Sequence, residues 1–161
     1  MRRYLAALLV AVAACTPKEK PPAETPGLPT PPAAGGELVY VTNEDSRNLT
    51  VIDAATDSVV ATIEVGTRPR GVKVSPDGKT VYVALSGSPK CPPTMPDAEC
   101  EKLKADRTQD GVAVVDVATR SKVKTLPAGL DPETFDVSPD GSRLFVSNED
   151  ADSATVADVA S

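Results

Sequence analysis

The chain has 161 residues, with 23 Asp and Glu against 17 Lys and Arg, no His and a formal net charge of −6. The length favours one domain, and the acidic, aromatic-poor composition argues against nucleic acid as a partner. Because His is absent, these residues cannot supply an imidazole base, a histidine haem ligand or a His-containing zinc site.

The first 14 residues have the pattern of an export signal. Arg2 and Arg3 precede ten apolar residues, Leu5–Ala14, a run too short to span a bilayer. The segment Val12–Cys15, VAAC, resembles the lipobox of bacterial lipoproteins, although an ordinary cleaved signal is the alternative. We therefore predict a lipid anchor on Cys15 that holds the exported protein on a bacterial membrane, facing the periplasm or the cell surface.

Residues 15–36 form a predicted linker that begins with the lipidated Cys15. The segment Thr16–Gly36 is rich in Pro, Ala, Gly and Thr and has no apolar periodicity. Such a composition favours extended polyproline geometry and serves as a semi-rigid spacer. Without the signal, 15 Lys and Arg face 23 Asp and Glu, a net charge of about −8, which fits a soluble exported surface.

Copies of one sequence unit fill residues 37–161. Gly71–Ala84 recurs as Thr134–Ser147, and Val51–Gly66 recurs as Val114–Gly129, both 63 positions later. The first two copies are separated by only 42 positions, so the unit is about 42 residues long and its second copy carries an insertion of 21.

Within each unit the apolar residues alternate, as in strands with one buried face. The SPDG segments Ser75–Gly78 and Ser138–Gly141 have Pro, Asp and Gly in the order that tight hairpin turns require. We predict four strands in the second unit, and these are Gly71–Ser75, Lys79–Leu85, Gly111–Ala118 and Lys122–Leu126.

A repeat of this length with four antiparallel strands predicts an all-β fold, a β-propeller, whereas a β-sandwich would not repeat a turn and its strands at a fixed offset. The YVTN segment Tyr40–Asn43, the SPDG turns and the strands VIDAAT and VVDVAT resemble the YVTN-repeat family of bacterial β-propellers. The resemblance implies an exported, usually seven-bladed propeller, related to the haem-carrying propeller of nitrite reductases and more distantly to lactonase-type propellers.

The strand order predicts an incomplete ring. We assign part of a blade to residues 37–66, a blade to 67–129 with an insertion at 86–110, and part of a blade to 130–161. The first blade lacks its inner strand, and the ten strands are too few to close a ring. We expect the chain to be a fragment of a product of about 300 residues; closure by oligomerisation is the alternative.

The insertion at 86–110 is the one departure from the plain repeat. In an oxidising compartment Cys91 and Cys100 predict a disulfide, worth roughly 3 kcal/mol in the chain-entropy model. A metal clip is the alternative, although two thiols alone cannot complete a tetrahedral site. The charged segment ECEKLKADRTQD predicts a short helix. The insertion is either a pre-organised binding loop or a tolerated surface feature.

Several charged residues recur at equivalent blade positions. Arg68 and Arg70 precede an innermost strand, which predicts a place near one mouth of the central channel, and their counterparts one blade later are Asp131 and Glu133. These opposite charges either pair across the mouth or remain solvated, and we favour solvation.

Two further acidic sets recur. Glu44 and Asp45 match Glu149 and Asp150, and we expect a solvated rim there in preference to calcium ligands, because EF-hand spacing is missing. The aspartates at strand ends are predicted turn residues and not catalytic carboxylates; they are Asp53, Asp116 and Asp158.

The function that these features favour is a non-catalytic binding or scaffolding propeller anchored as a lipoprotein. We expect no catalytic residue, cofactor or metal in this segment and an unknown protein or small molecule as the ligand. The alternative is a lactonase-like propeller or a quinone- or haem-redox accessory whose active-site residues lie in further blades.

Overall fold

The computed structural model describes residues 36–160, and the predicted signal peptide, the lipidation site Cys15 and nearly all of the predicted linker lie outside the described residues. The ten strands are β1 (Leu38–Asn43), β2 (Asn48–Asp53), β3 (Ser58–Glu64), β4 (Pro69–Val74), β5 (Thr80–Leu85), β6 (Gly111–Asp116), β7 (Ser121–Leu126), β8 (Pro132–Val137), β9 (Arg143–Asn148) and β10 (Ser153–Asp158). One short helix, α1 (Asp97–Cys100), lies in the insertion, and 3₁₀ turns cover Arg107–Gln109 and Glu149–Ala151. Within residues 36–160, no helix is long and apolar enough to cross a membrane.

The strands form three antiparallel sheets, one for each blade. The first holds β1–β3, the second β4–β7 and the third β8–β10, each in sequence order. Strand β4 contacts both β8 and β1, as expected for strands near a common axis. The all-β prediction of a partial propeller is therefore confirmed, with four strands in the middle blade and three in each of the others.

The SPDG segments turn the chain between the first two strands of the second and third blades. In each, the glycine N–H donates to the serine carbonyl, at 2.9 Å for Gly78 and 2.8 Å for Gly141. The φ angles of these glycines are +73° and +74°, a region that favours glycine. The predicted hairpin turns at both SPDG segments are therefore confirmed.

Two apolar layers hold the three blades together. The layer between the first and second blades includes Leu49 and Val83, and the layer between the second and third includes Leu126 and Leu144. All four side chains are fully or almost fully buried. Since each buried methylene contributes about 0.8 kcal/mol, these layers supply most of the stabilisation between blades.

The outer faces of the first and third blades carry apolar side chains that the described residues leave exposed. Val39 and Val41 lie on β1, while Phe145 and Val156 lie opposite each other on β9 and β10. Because strand side chains alternate, these residues point away from the two apolar layers. Both outer faces therefore have the composition of blade-to-blade surfaces.

The strand directions give the blades two distinct ends. The end that we call the insertion end carries the links between β1 and β2, β3 and β4, β5 and β6, β7 and β8, and β9 and β10. The opposite end, which we call the turn end, carries both SPDG turns and the start of β1. All the long-range polar contacts described next lie at the insertion end.

Candidate functional site at the insertion end

The insertion divides into two parts. We call residues 86–90 and 106–110 its base and residues 91–105 its finger. The finger contains α1 and a disulfide between Cys91 and Cys100, whose Cα atoms are 5.7 Å apart, so the predicted disulfide is confirmed. The helix forms, but it covers Asp97–Cys100, so that two of its four residues precede the segment predicted to be helical and most of that segment is not helical.

Backbone contacts close the base. The Gly87 N–H donates to Asp110 Oδ1 at 2.7 Å, and the Asp106 N–H donates to the Gly87 carbonyl at 2.9 Å. A Cβ atom at position 87 would lie 1.7 Å from the Asp106 carbonyl oxygen. The two legs of the base therefore approach so closely that only glycine fits at position 87.

Two hydrogen bonds, one buried and one partly buried, connect the base to the third blade. Ser86, fully buried, donates its hydroxyl to Asp131, which is 4% exposed and adopts a left-handed backbone with φ of 54°. Ser88 Oγ donates to Asp150 Oδ2 at 2.9 Å. An unpartnered buried carboxylate would be costly, so these contacts tie the second blade to the third.

Arg70 contacts three carboxylates of the third blade. Its guanidinium lies 2.7 Å from Glu133 Oε1, 3.0 Å from Glu149 Oε2 and 3.4 Å from Asp131 Oδ1. Burial acts to lower the pKa of Arg70, but the hydrogen bond to Glu149 and the charges of Glu133 and Asp131 outweigh it, so the pKa is raised. The expectation that Arg70 is solvated is therefore wrong, because neighbouring blades place opposite charges within contact distance.

Arg68 pairs with the first blade and not with its repeat counterpart Asp131. Its Nε donates to Glu44 Oε1 at 2.8 Å, and its Nη1 donates to the Ser88 carbonyl at 2.7 Å. The expectation of solvation is therefore wrong for Arg68 as well. Whether Arg68 and Arg70 line a channel mouth stays a prediction.

The acidic residues Glu44 and Asp45 form ion pairs with basic side chains of the same chain. Lys90 Nζ lies 3.4 Å from Glu44 Oε2 and 2.6 Å from Asp45 Oδ1. Burial acts to raise the pKa of Glu44, but Arg68 and Lys90 together lower it. The expectation of a merely solvated rim is thus corrected for Glu44, while Asp45 keeps 80% of its side chain exposed.

Arg107 joins residues 106–110 of the base to the third blade. Its Nη2 donates to Asp150 Oδ2 at 2.6 Å, and its Nη1 donates to Ser88 Oγ at 2.9 Å. The hydrogen bonds from Arg107 and Ser88 lower the pKa of Asp150. Asp150, expected to be solvated, is in fact the point where the base and the third blade meet.

The strand-end aspartates act as predicted. Asp53 Oδ1 accepts from the backbone N–H of Ala55 at 2.9 Å, Asp116 Oδ1 accepts from Thr119 at 2.7 Å, and Asp158 Oδ1 accepts from Ala160 at 3.0 Å. Each carboxylate closes a turn at the turn end.

No group of three or more Cys, Asp or Glu side chains in the described part of the chain is arranged to hold a metal ion.

The sequence did not predict a role for two asparagines at the insertion end. The Nδ2 of Asn43 donates to Thr50 Oγ1 at 2.8 Å, and that of Asn148 donates to Thr155 Oγ1 at 2.9 Å. These bonds cross equivalent hairpins of the first and third blades. Their shared spacing of seven residues was the signal that could have identified them.

The chain is similar to known propellers. A family model described as "Lactonase, 7-bladed beta-propeller" matches residues 33–161. Antigen Lp49 of Leptospira interrogans is 31% identical over 110 residues, which cover 68% of this chain and 23% of Lp49. The uncharacterized protein YncE of Salmonella typhi is 44% identical over 46 residues, which cover 29% of this chain and 13% of YncE.

Solved structures show the same fold. Hydrazine synthase of Kuenenia stuttgartiensis aligns with a TM-score of 0.60 and 28% identity, over 76% of this chain and 31% of that chain. A candidate 6-phosphogluconolactonase of Bacteroides fragilis aligns with a TM-score of 0.55 and 22% identity, over 74% and 33%. The chain thus spans about a third or less of the length of these relatives.

Proposed function

Because the chain belongs to the lactonase family of seven-bladed β-propellers, we propose that its described blades are a non-catalytic scaffold that presents the finger to a protein or small-molecule ligand. We also propose that the repeats are of the YVTN type, since Tyr40–Asn43 and Phe145–Asn148 occupy equivalent strands with equivalent asparagine bonds.

The observation that carries the proposal is the anchoring of the insertion. Its base contacts all three blades, through Lys90 to the first, the Ser88 carbonyl to Arg68 of the second and Arg107 to the third. A loop held on a rigid sheet loses less conformational entropy when it binds. The charged side chains around the base contact one another, which supports a role in holding the finger.

Photo-crosslinking in the producing cell tests this role. A photoreactive residue at Leu103, a finger position 43% exposed, should capture a defined partner. The matched control is the same residue at Lys79, an exposed position in a turn-end SPDG hairpin. The same products from both positions, or none from Leu103, would contradict the proposal.

We further propose that Cys15 carries the lipid that anchors the protein to a bacterial membrane. The basic start, the short apolar run and the VAAC segment support this. The full chain should incorporate labelled palmitate and sediment with membranes, whereas Cys15→Ser should do neither. Sedimentation of the variant with the membranes would contradict the anchor.

A second candidate is a lactonase-like hydrolase, or a redox accessory, with its reactive groups in blades other than those described. The family match and the similarity to a candidate 6-phosphogluconolactonase favour the hydrolase; the similarity to hydrazine synthase favours the redox role. An assay of the full protein with 6-phosphogluconolactone tests the hydrolase. Hydrolysis faster than the spontaneous rate would support the hydrolase and contradict the scaffold proposal.

A further inference from the structure

We propose that the Cys91–Cys100 disulfide is a redox switch that orders the finger for binding, while the blades and the base of the insertion keep their structure in both redox states. This inference rests on the proposed binding role of the finger. It concerns regulation, and its two halves can be measured separately.

The base does not depend on the disulfide. Gly87 and Asp106 join its two legs by a 2.9 Å backbone hydrogen bond, and Arg107 joins the far leg to Asp150 at 2.6 Å. Ser86 and Asp110 are mostly buried beneath these contacts. Opening the disulfide therefore leaves these contacts of the base in place.

The finger, in contrast, has only local support besides the disulfide. Its hydrogen bonds connect near neighbours, such as Met95 N–H to the Pro92 carbonyl at 2.8 Å and Leu103 N–H to the Cys100 carbonyl at 3.0 Å. Among the described residues, no hydrogen bond or ion pair joins 91–105 to the blades. The four-residue α1 is far below the length at which an isolated helix is stable in water.

The disulfide therefore provides the main restraint on the finger. It joins the first residue of the finger to the last residue of α1, at a separation of nine. Without it, the finger is restrained by its local hydrogen bonds and by its fixed ends at Lys90 and Asp106. Loss of order in a binding loop raises the entropic cost of binding.

The disulfide is also open to reagents. Cys91 is exposed and Cys100 is half-buried in a loop at the surface. A dithiol can attack one sulfur as its thiolate, form a mixed disulfide and then close on itself with its second thiol. The reaction transfers two electrons, leaves two thiols on the protein and converts the dithiol to its own disulfide.

The test uses full-length protein with and without dithiothreitol and reads hydrogen exchange by mass spectrometry. We expect the amides of residues 91–105 to exchange at least about tenfold faster after reduction, while β5 and β6 change less than about twofold. The variant Cys91→Ser/Cys100→Ser should match the reduced protein and show no response to dithiothreitol.

The crosslinking yield from Leu103 then reports the binding half. We expect it to fall several-fold in the double variant, in step with the exchange. Unchanged exchange in the finger would overturn the switch and leave the binding role standing. Faster exchange in β5 and β6 would also overturn it, because the disulfide would then stabilise the blades. Changed exchange with no product from Leu103 in either state would overturn the binding role, and the regulation with it.

Discussion

At the scale of single residues, the hydrogen bonds that close an SPDG turn also lower the pKa of its aspartate. Asp140 Oδ1 accepts from Ser138 Oγ at 2.5 Å, and also from the backbone N–H of Ser142 at 3.0 Å and its hydroxyl at 2.9 Å. These donors favour the ionised carboxylate. The pKa of Asp140 is thereby lowered to about 2, with the Ser138 hydroxyl as the largest cause.

The variant Ser138→Ala should raise the pKa of Asp140 toward its ordinary value of 3.8. Because the pKa is depressed in the folded state, this carboxylate stabilises the fold above pH 4, and the contribution is lost as the pH falls from about 4 to about 2. Carbon NMR titration of the Asp140 carboxyl measures the shift. The control is Ser46→Ala, a change in an exposed loop at the other end. An unchanged midpoint in Ser138→Ala would contradict the assigned cause.

At the scale of elements, Asp131 joins β8 to its neighbours in the second blade. It accepts from Ser86 after β5 and from Arg70 in β4. Glu133 contacts the same arginine, but its side chain is 49% exposed, against 6% for Asp131. Burial and not formal charge should therefore decide how much each carboxylate contributes to the contact between blades.

The variant Asp131→Asn should reduce the free energy of unfolding by about 1–3 kcal/mol, since it weakens charge-assisted hydrogen bonds at a buried site. Asn tolerates the left-handed backbone at this position, so the change tests charge and not strain. The matched control Glu133→Gln should cost less than about 1 kcal/mol, because exposed ion pairs contribute little. Urea denaturation of the full chain measures both; equal losses would contradict the argument.

The elements show how far the sequence predicts this structure. Alternating Val residues and two SPDG turns were enough for the strands of the second blade, because both signals are local. The pairing of Arg70 with Asp131 was missed as the favoured arrangement, although pairing was one of the two alternatives, since it depends on how closely two blades approach. The base of the insertion was missed as well: the contacts of Arg107 with Ser88 and Asp150 join residues far apart in sequence, and no repeat marks them.

At the scale of the whole molecule, the described blades have apolar outer faces. Phe145 is 48% exposed and Val156 is 58% exposed on the third blade, while Val39 and Val41 are exposed on the first. Strand β10 pairs only with β9 in the described part of the chain, so its other edge offers unpaired backbone groups. Exposed strand edges and apolar faces promote association.

A polypeptide of residues 36–161 produced alone should therefore self-associate at micromolar concentration. Light scattering should show a broad distribution of sizes, and the double variant Phe145→Glu/Val156→Lys should shift it toward monomer. The control Glu37→Lys/Lys79→Glu reverses two exposed charges and, like the test variant, leaves the net charge unchanged, but it does not alter an apolar face. A monodisperse, concentration-independent monomer of the unchanged sequence would contradict the prediction.

The start of the first strand and the finger lie at opposite ends of the blades. Strand β1 starts at the turn end, and the insertion leaves β5 at the opposite end, about 20 Å away for a six-residue strand. The point at which the chain enters the first blade therefore lies at the end opposite the finger. A protein immobilised through its N-terminus on a sensor surface would present the finger to the solution. Coupling through exposed lysines would instead turn the finger toward the sensor surface in part of the population.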